Sequence, residues 1–333
     1  MKRLSRYQSP GEIAFQTNSF GLRGSEPVQP KPEGVLRIVL LGDETVLGPG
    51  LEADNTIPQR LQNLLAKATG QQVEVLNAGV PGYSPLLSLL QFQHELQHLA
   101  AEVVILHFDM SDVADDGIYR RWVKESEGRQ ICLNPMLASA QTSSNAVLSR
   151  LQQSALVRVL QGKTGLTADS SRAATTSLKQ QFEWTTASQS DLRLQVQHAL
   201  DPIPRFATYA AQQPFLLLVS TSPVPWQVAG ADDFPTIASD LNVASAWPVD
   251  GDLPQRIINA ICEQSSIPFC NATDAFRSFS QSEKLFESDS TSLSAYGSAL
   301  YAREIASMLL QTPKFTSLFS GENRLSAQPA FRQ

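Results

Sequence analysis

The chain has 333 residues, 42% of them hydrophobic, so it is long enough to bury the core of one large domain. Its net charge of −6 and the absence of a dense lysine and arginine run argue against a nucleic acid as partner. The three cysteines, Cys132, Cys262 and Cys270, have neither disulfide-framework nor metal-ligand spacing, and we expect buried thiols.

Five short apolar runs rich in valine, isoleucine and leucine predict β-strands. Continuous runs of this kind are typical of strands covered on both faces, as in a parallel sheet. Helical periodicity predicts helices between and after them, the last one capped by Ser294. Strands that alternate with helices predict a three-layer, doubly wound α/β sandwich with a mostly five-stranded parallel sheet. The predicted strands are 36–41, 73–76, 103–108, 215–220 and 267–269, and the predicted helices are 56–69, 85–100, 253–264 and 294–310.

The third and fourth predicted strands are separated by residues 109–214, far more than one crossover helix needs. We therefore expect a helical insertion at about 117–200, with helices on both sides of a segment rich in serine, threonine and glutamine. The predicted organisation is a lead-in at 1–34, an α/β domain at 35–312 and a peripheral tail at 313–333.

The opening “MKRLSRYQSPGEIAF” lacks the apolar stretch of a secretory signal, and every apolar run is shorter than the roughly 18 residues of a membrane span. We expect a soluble protein without a membrane-spanning segment, cytoplasmic by default.

Polar residues follow the strands at the edge where ligands bind in doubly wound sheets, beyond the carboxyl ends. “LLGDETVLG” contains the first strand end, “NAGVPGYS” the second and “HFDMSDVADD” the third, while “ESDSTSLSAYG” precedes the last helix. The candidate site residues in these segments are Asp43, Glu44, Gly82, Ser111, Asp112, Asp289 and Ser292.

These four segments resemble the signature blocks of the SGNH (GDSL-type) hydrolases, and the resemblance covers nearly the whole chain. Glu44 stands at the place of the serine in Gly-Asp-Ser, and Gly82 at the place of a backbone donor to the oxyanion. Ser111-Asp112 occupies the place of an Asn-Asp pair, and Asp289 to Ser292 that of Asp-x-x-His. The resemblance implies a flavodoxin-like SGNH-hydrolase fold and a ligand of the acyl or carbohydrate ester type.

The chemistry of these positions differs from that of a serine esterase. A carboxylate at Glu44 cannot form the usual acyl-enzyme and repels a developing oxyanion. Ser292, at the base position, does not accept a proton near neutral pH, which leaves Asp289 without a histidine to orient. Ser111 has a shorter reach than the amide donor it replaces. We therefore expect a catalytically degenerate member that uses no cofactor.

Other interpretations of the acidic residues stay open. An active esterase, acetylhydrolase or acyltransferase could use Glu44 as a general base for water. Alternatively, Glu44 caps the helix that follows it, or joins Asp43, Asp112 and Asp289 in a pocket for a cation or sugar hydroxyls. The oligomeric state is not predicted.

“HELQH”, residues 94–98, matches the His-Glu-x-x-His pattern of zinc proteases, a second alternative function. On a helix, however, Leu89, Phe92, Leu96 and Leu99 form the apolar stripe, so His94 and His98 are expected to face solvent. We expect no metal site there.

Two further features have both a structural and a functional interpretation. His107 is expected to be a satisfied core histidine, although a substitute base is conceivable. Three tryptophans, Trp122, Trp226 and Trp247, could line a ligand pocket or pack ordinary loops.

The segment “FQTNSFGLRGSE” resembles the lead-in of SGNH proteins from bacterial envelope and exopolysaccharide systems. This resemblance leaves a periplasmic or envelope-associated location open.

Overall fold

The computed structural model describes residues 6–7, 15–126, 129–132, 178–185, 192–229, 233, 235, 251–279, 281–288 and 290–319. The strands are β1 (Arg6–Tyr7), β2 (Phe15–Gln16), β3 (Val35–Gly42), β4 (Gln72–Gly79), β5 (Val103–His107), β6 (Val123–Ser126), β7 (Arg129–Cys132), β8 (Leu216–Thr221) and β9 (Phe269–Asn271). The helices are α1 (Glu44–Leu47), α2 (Ile57–Thr69), α3 (Pro85–Gln91), α4 (Asp112–Tyr119), α5 (Leu178–Phe182), α6 (Arg193–Leu200), α7 (Pro202–Ala210), α8 (Leu253–Gln264), α9 (Thr273–Arg277), α10 (Ala295–Gln311) and α11 (Pro313–Thr316).

The core is a five-stranded sheet in the order β4-β3-β5-β8-β9, with every neighbouring pair parallel. Counted along the chain, this order is 2-1-3-4-5, that of a flavodoxin-like doubly wound fold, and it confirms the predicted class. All eight residues of β3 are buried, as expected for a central strand covered on both faces. Gly42 pairs with Gly79 and Leu41 with Leu106, so the carboxyl ends of β3, β4 and β5 lie side by side.

Helices cover both faces of this sheet. α2 packs against α10, while α7 packs against α3 and α8. Ser294 caps α10 as predicted, because its hydroxyl accepts hydrogen bonds from the N–H groups of Tyr296 and Gly297. Cys262 and Cys270 are buried thiols, whereas Cys132 is only half-buried.

The predicted helix at 85–100 is shorter and irregular. After α3 the chain widens into a π-helical turn, Phe92–Leu96, and then tightens into a 3₁₀ turn, Gln97–Leu99. The wide turn places both Phe92 and Leu96 in the core, so the apolar stripe is preserved although the regular α-helix is not.

The insertion expected to be helical begins with an antiparallel hairpin, β6 and β7, in which Val123 pairs with Cys132. Each strand of this hairpin has four residues, too few for a periodic pattern to predict it. Helices α6 and α7 fall where the second helical flank was predicted. The first flank, 145–161, lies outside the described residues.

None of the helices within the described ranges has both the length and the apolar character needed to cross a bilayer.

The lead-in packs against the sheet through Arg23. Its guanidinium donates to the carbonyl oxygens of Leu47, at 2.9 Å, of Gly48 and of Leu51, at the end of the short helix α1 and just after it. The same guanidinium lies 4.6 Å from the ring centre of Phe15. Arg23 therefore holds the far end of the turn that carries Asp43 and Glu44.

We expect Arg23→Ala to lower the free energy of unfolding by about 2–4 kcal/mol, because buried carbonyl groups lose a charged donor. Urea denaturation followed by circular dichroism measures this change. Arg193→Ala, at an exposed position on α6, is the control and should change stability by less than about 0.5 kcal/mol. Equal stability of the two variants would contradict a structural role for Arg23.

Candidate functional site

The first part of the candidate site is the turn between β3 and α1. Asp43 caps α1, because its Oδ1 accepts a hydrogen bond from the N–H of Thr45 at 2.9 Å. The cap is thus Asp43, and the interpretation of Glu44 as the cap is wrong. Gly79 allows the close contact between this turn and β4, since a Cβ there would lie 2.3 Å from the Leu47 nitrogen and 2.7 Å from the Asp43 carbonyl oxygen.

The Glu44 side chain turns towards the loop that follows β4. Its Oε2 accepts a hydrogen bond from the N–H of Gly82 at 2.9 Å. Gly82 adopts a left-handed conformation, with φ 70°, which favours glycine. The structure therefore brings the two positions together, with the glycine N–H donating to the carboxylate.

The second part of the site is the turn after β5. The N–H and the hydroxyl of Ser111 both donate to Asp109 Oδ1, at 2.8 and 2.7 Å. The N–H of Asp109 donates to Asp112 Oδ2 at 2.9 Å, and the Thr45 hydroxyl donates to Asp109 Oδ2 at 3.1 Å. These bonds join the β5 turn to α1 and direct the Ser111 hydroxyl at a carboxylate.

Together the two turns form an acidic cluster beyond the ends of β3 and β5. Burial, with added repulsion from Asp109 and Glu44, raises the pKa of Asp43 well above its ordinary value. Burial and the charge of Asp43 do the same to the pKa of Asp112. Burial and the charge of Glu44 raise the pKa of Asp115 to about 7, against a smaller lowering effect of a hydroxyl hydrogen bond. A carboxyl group that titrates near neutral pH, that of Asp115, therefore lies in this cluster.

The same balance applies to Glu44, which is half-buried. Burial raises its pKa, and Asp109 adds to the rise, while the hydrogen bond from Gly82 opposes it.

His107, at the end of β5, borders the acidic cluster from within the core. Its Nδ1 lies 2.7 Å from the Tyr301 hydroxyl on α10, and its Nε2 lies 3.8 Å from Asp109 Oδ2, too far for a hydrogen bond. Burial acts to raise the pKa of Asp109, but interaction with His107 and hydrogen bonds from Ser111 hold that pKa below its ordinary value. The expected core histidine is thus buried, with only one ring nitrogen hydrogen-bonded among the described residues.

The last predicted block, Asp289 to Ser292, is described only in part, and the hydrogen bonds of Ser292 are local. Ser292 is exposed; its N–H donates to the Ser290 hydroxyl at 3.1 Å and its carbonyl accepts from Glu287 at 2.9 Å. Within the described ranges, no hydrogen bond joins Ser292 to Glu44. Asp289 lies outside the described residues. The structure therefore brings five of the seven candidate residues together and leaves the relation of the base position to them as a prediction.

The zinc-protease motif lies on the surface, as the apolar stripe indicated. His94 and His98 are exposed, and His94 Nε2 lies 2.7 Å from the Gln130 carbonyl oxygen. The ring of His98 packs near Phe20, with 5.5 Å between the ring centres. This geometry does not favour a catalytic zinc site formed by the motif.

The tryptophans differ in their surroundings. Trp226 is buried and donates through Nε1 to the Thr185 hydroxyl at 3.0 Å, which is ordinary loop packing. Trp122 is half-buried, and Trp247 lies outside the described residues.

Sequence reasoning placed Asp109 after the third strand without giving it a role, and it missed two members of this region, Asp115 and Tyr301. The spacing of Asp109, Asp112 and Asp115 by three residues is a signal that could have predicted one acidic helix face. Tyr301 gives no such signal, because it is 194 residues from His107 in the chain.

Comparisons with known proteins gave only structural matches. No protein-family model and no curated protein matches the chain. A lipase/acylhydrolase from Enterococcus faecalis has 11% identity and a TM-score of 0.43, with 82% of this chain and 95% of that chain covered. The acetyl xylan esterase AlAXEase has 12% identity and a TM-score of 0.44, with 82% and 98% covered. A putative lipolytic protein of the G-D-S-L family from Desulfitobacterium hafniense has 10% identity and a TM-score of 0.41, with the same coverage.

Proposed function

We propose that this chain is a catalytically degenerate SGNH-hydrolase-like protein that binds an acyl or carbohydrate ester without cleaving it by serine-type acyl transfer. The observation that carries the proposal is the hydrogen bond from the Gly82 N–H to the Glu44 carboxylate. In the resembled enzymes, the first position would supply the attacking oxygen and the second would stabilise the oxyanion. Here Glu44 stands in place of the nucleophile, and its carboxylate also accepts the hydrogen bond of the Gly82 N–H that would stabilise an oxyanion.

The surroundings of this pair support the same proposal. Ser111, at the place of a further oxyanion donor, directs its hydroxyl to Asp109 Oδ1 at 2.7 Å. The neighbouring carboxyl groups of Asp43, Asp112 and Asp115 would oppose a developing negative charge when ionised. Carboxyl and hydroxyl groups remain able to hydrogen-bond the hydroxyls of a sugar.

The test compares binding with cleavage. Calorimetric titration with acetylated xylo-oligosaccharides should show binding that is at least about tenfold tighter than with the deacetylated form, a difference of roughly 1.4 kcal/mol. Mass spectrometry should show the acetyl groups intact after incubation. p-Nitrophenyl acetate should be hydrolysed no faster than in a sample of the Glu44→Gln variant. Equal binding of the two oligosaccharides would contradict recognition of the ester.

One alternative function has a specific observation in its favour. Burial raises the pKa of Glu44, and the pKa of Asp115 is raised to about 7, so Asp115 could exchange a proton with water near neutral pH in the same cluster as Glu44. A hydrolase of this kind would show ester turnover that Glu44→Gln abolishes, and that result would replace the binding proposal.

A further inference from the structure

The cluster next to Glu44 contains a set of side chains with the composition of a metal centre. Asp43, His107 and Asp109 each offer one ligand atom, and these atoms all lie within 4.8 Å of one another. His107 and Asp43 are each only 1% exposed. Metal bonds of about 2.0–2.2 Å in a tetrahedron place neighbouring ligand atoms roughly 3.4 Å apart. Small side-chain rotations would therefore bring the three ligand atoms to the spacing that a bound metal ion requires.

The imidazole of His107 is held in the orientation that a metal ligand requires. Its Nδ1 lies within hydrogen-bond distance of the Tyr301 hydroxyl, at 2.7 Å. Its Nε2 has no hydrogen-bond partner among the described residues and lies 3.8 Å from Asp109 Oδ2. Buried polar atoms without partners are rare in folded proteins, so this nitrogen points to a missing ligand. Outer hydrogen bonds of this kind orient most metal-binding histidines.

The charges around the set call for a cation. Among the described residues, neither Asp43 nor Asp109 forms an ion pair with a lysine or arginine. Asp112 adds a buried carboxyl oxygen, Oδ1, without a partner in the described part of the chain. Buried carboxylates are normally paired or bound to a metal ion.

We propose that Asp43, His107 and Asp109 form a binding site for one divalent transition-metal ion, with Zn²⁺ the best match. One imidazole nitrogen and two carboxylate oxygens suit Zn²⁺, whereas Mg²⁺ and Ca²⁺ take sets made of oxygen alone. Three protein ligands leave a fourth tetrahedral position for a water molecule or a small ligand. The centre lies beside Glu44 but does not depend on ester binding.

The test titrates the full-length chain, treated with EDTA and dialysed, with zinc chloride in a calorimeter. We expect one equivalent of Zn²⁺ to bind, elemental analysis to recover it after desalting, and the thermal midpoint to rise with zinc concentration. Asp43→Asn should weaken binding at least 100-fold. An asparagine still caps α1, so this variant keeps the local fold. Tyr301→Phe should weaken binding about 10- to 100-fold, as loss of an outer hydrogen bond does.

His94→Ala and His98→Ala are the matched controls, because they remove the other candidate zinc motif from the surface. Both should bind zinc like the original chain. A folded, metal-free chain that takes up no zinc would overturn the proposal, and so would zinc uptake that is lost with His94 or His98. If circular dichroism shows that Asp43→Asn does not fold, the zinc affinity of Tyr301→Phe is compared with that of the two histidine variants. A weaker affinity in Tyr301→Phe supports the proposal, and an equal affinity contradicts it.

Discussion

Asp115→Asn should remove much of the loss of stability that the metal-free protein suffers between pH 5.5 and pH 8. Burial and the charge of Glu44 raise the pKa of Asp115 to about 7, whereas an unfolded chain has an ordinary value of 3.8. The folded state therefore binds this proton more tightly. Its contribution is fully present below pH of about 4, declines as the pH rises and is lost once the pH passes about 7.

The size of this change in stability follows from the rise in the pKa of Asp115. At 1.36 kcal/mol per pH unit, the 1.5 units between pH 5.5 and pH 7 correspond to about 2 kcal/mol. Urea denaturation in EDTA at pH 5.5 and at pH 8 measures the loss of stability between these two pH values. The part of about 2 kcal/mol should be absent from Asp115→Asn. Asp43 and Asp112, whose pKa values are also raised, act in the same direction. Because the charge of Asp115 contributes to both rises, the double difference measures Asp115 together with its effect on these two neighbours.

Asp116→Asn is the matched control, one residue further along α4. Asp116 is paired with Arg120, so its replacement should lower stability at both pH values. The prediction for Asp115 fails if its variant follows the original chain through the same pH range or loses stability equally at both ends.

The parallel sheet could be predicted from the sequence because its strands are buried on both faces. Residues 36–41 are apolar except for Arg37, and the structure extends the strand predicted there by one residue at each end. Once the class is known, the edge at which the strands end is known too, and Asp43 and Ser111 are assigned to it by position. This step needs only local patterns.

The contacts within that edge could not be predicted in the same way. The bond between Glu44 and Gly82 depends on a left-handed glycine, and the bond between His107 and Tyr301 depends on how α10 packs against the sheet. Neither is encoded by periodicity. The role of Arg23 was missed for the same reason, because its partners are backbone carbonyls whose direction only the folded turn determines.

Rebuilding the resembled esterase site should create ester cleavage. Glu44→Ser supplies a hydroxyl at the turn after β3. It also frees the Gly82 N–H, which in the original chain donates to the Glu44 carboxylate at 2.9 Å. Ser111→Asn supplies an amide donor of longer reach. Ser292→His adds a base just before α10, a helix that starts at the carboxyl edge of the sheet if it follows the usual doubly wound direction.

The experiment compares two rebuilt proteins that differ only in this base. With Ser292→His, hydrolysis of p-nitrophenyl acetate should be about 10²- to 10⁴-fold faster than with Ser292 retained, because a positioned base contributes a factor of this size. Glu44→Ala in the same Ser111→Asn and Ser292→His background removes the nucleophile and should abolish the gain. A folded protein with all three changes that is no faster than this alanine control would contradict the matching of positions 44, 111 and 292 to an esterase site. The departure of this site from a serine esterase would then lie in its geometry as well as in its residues.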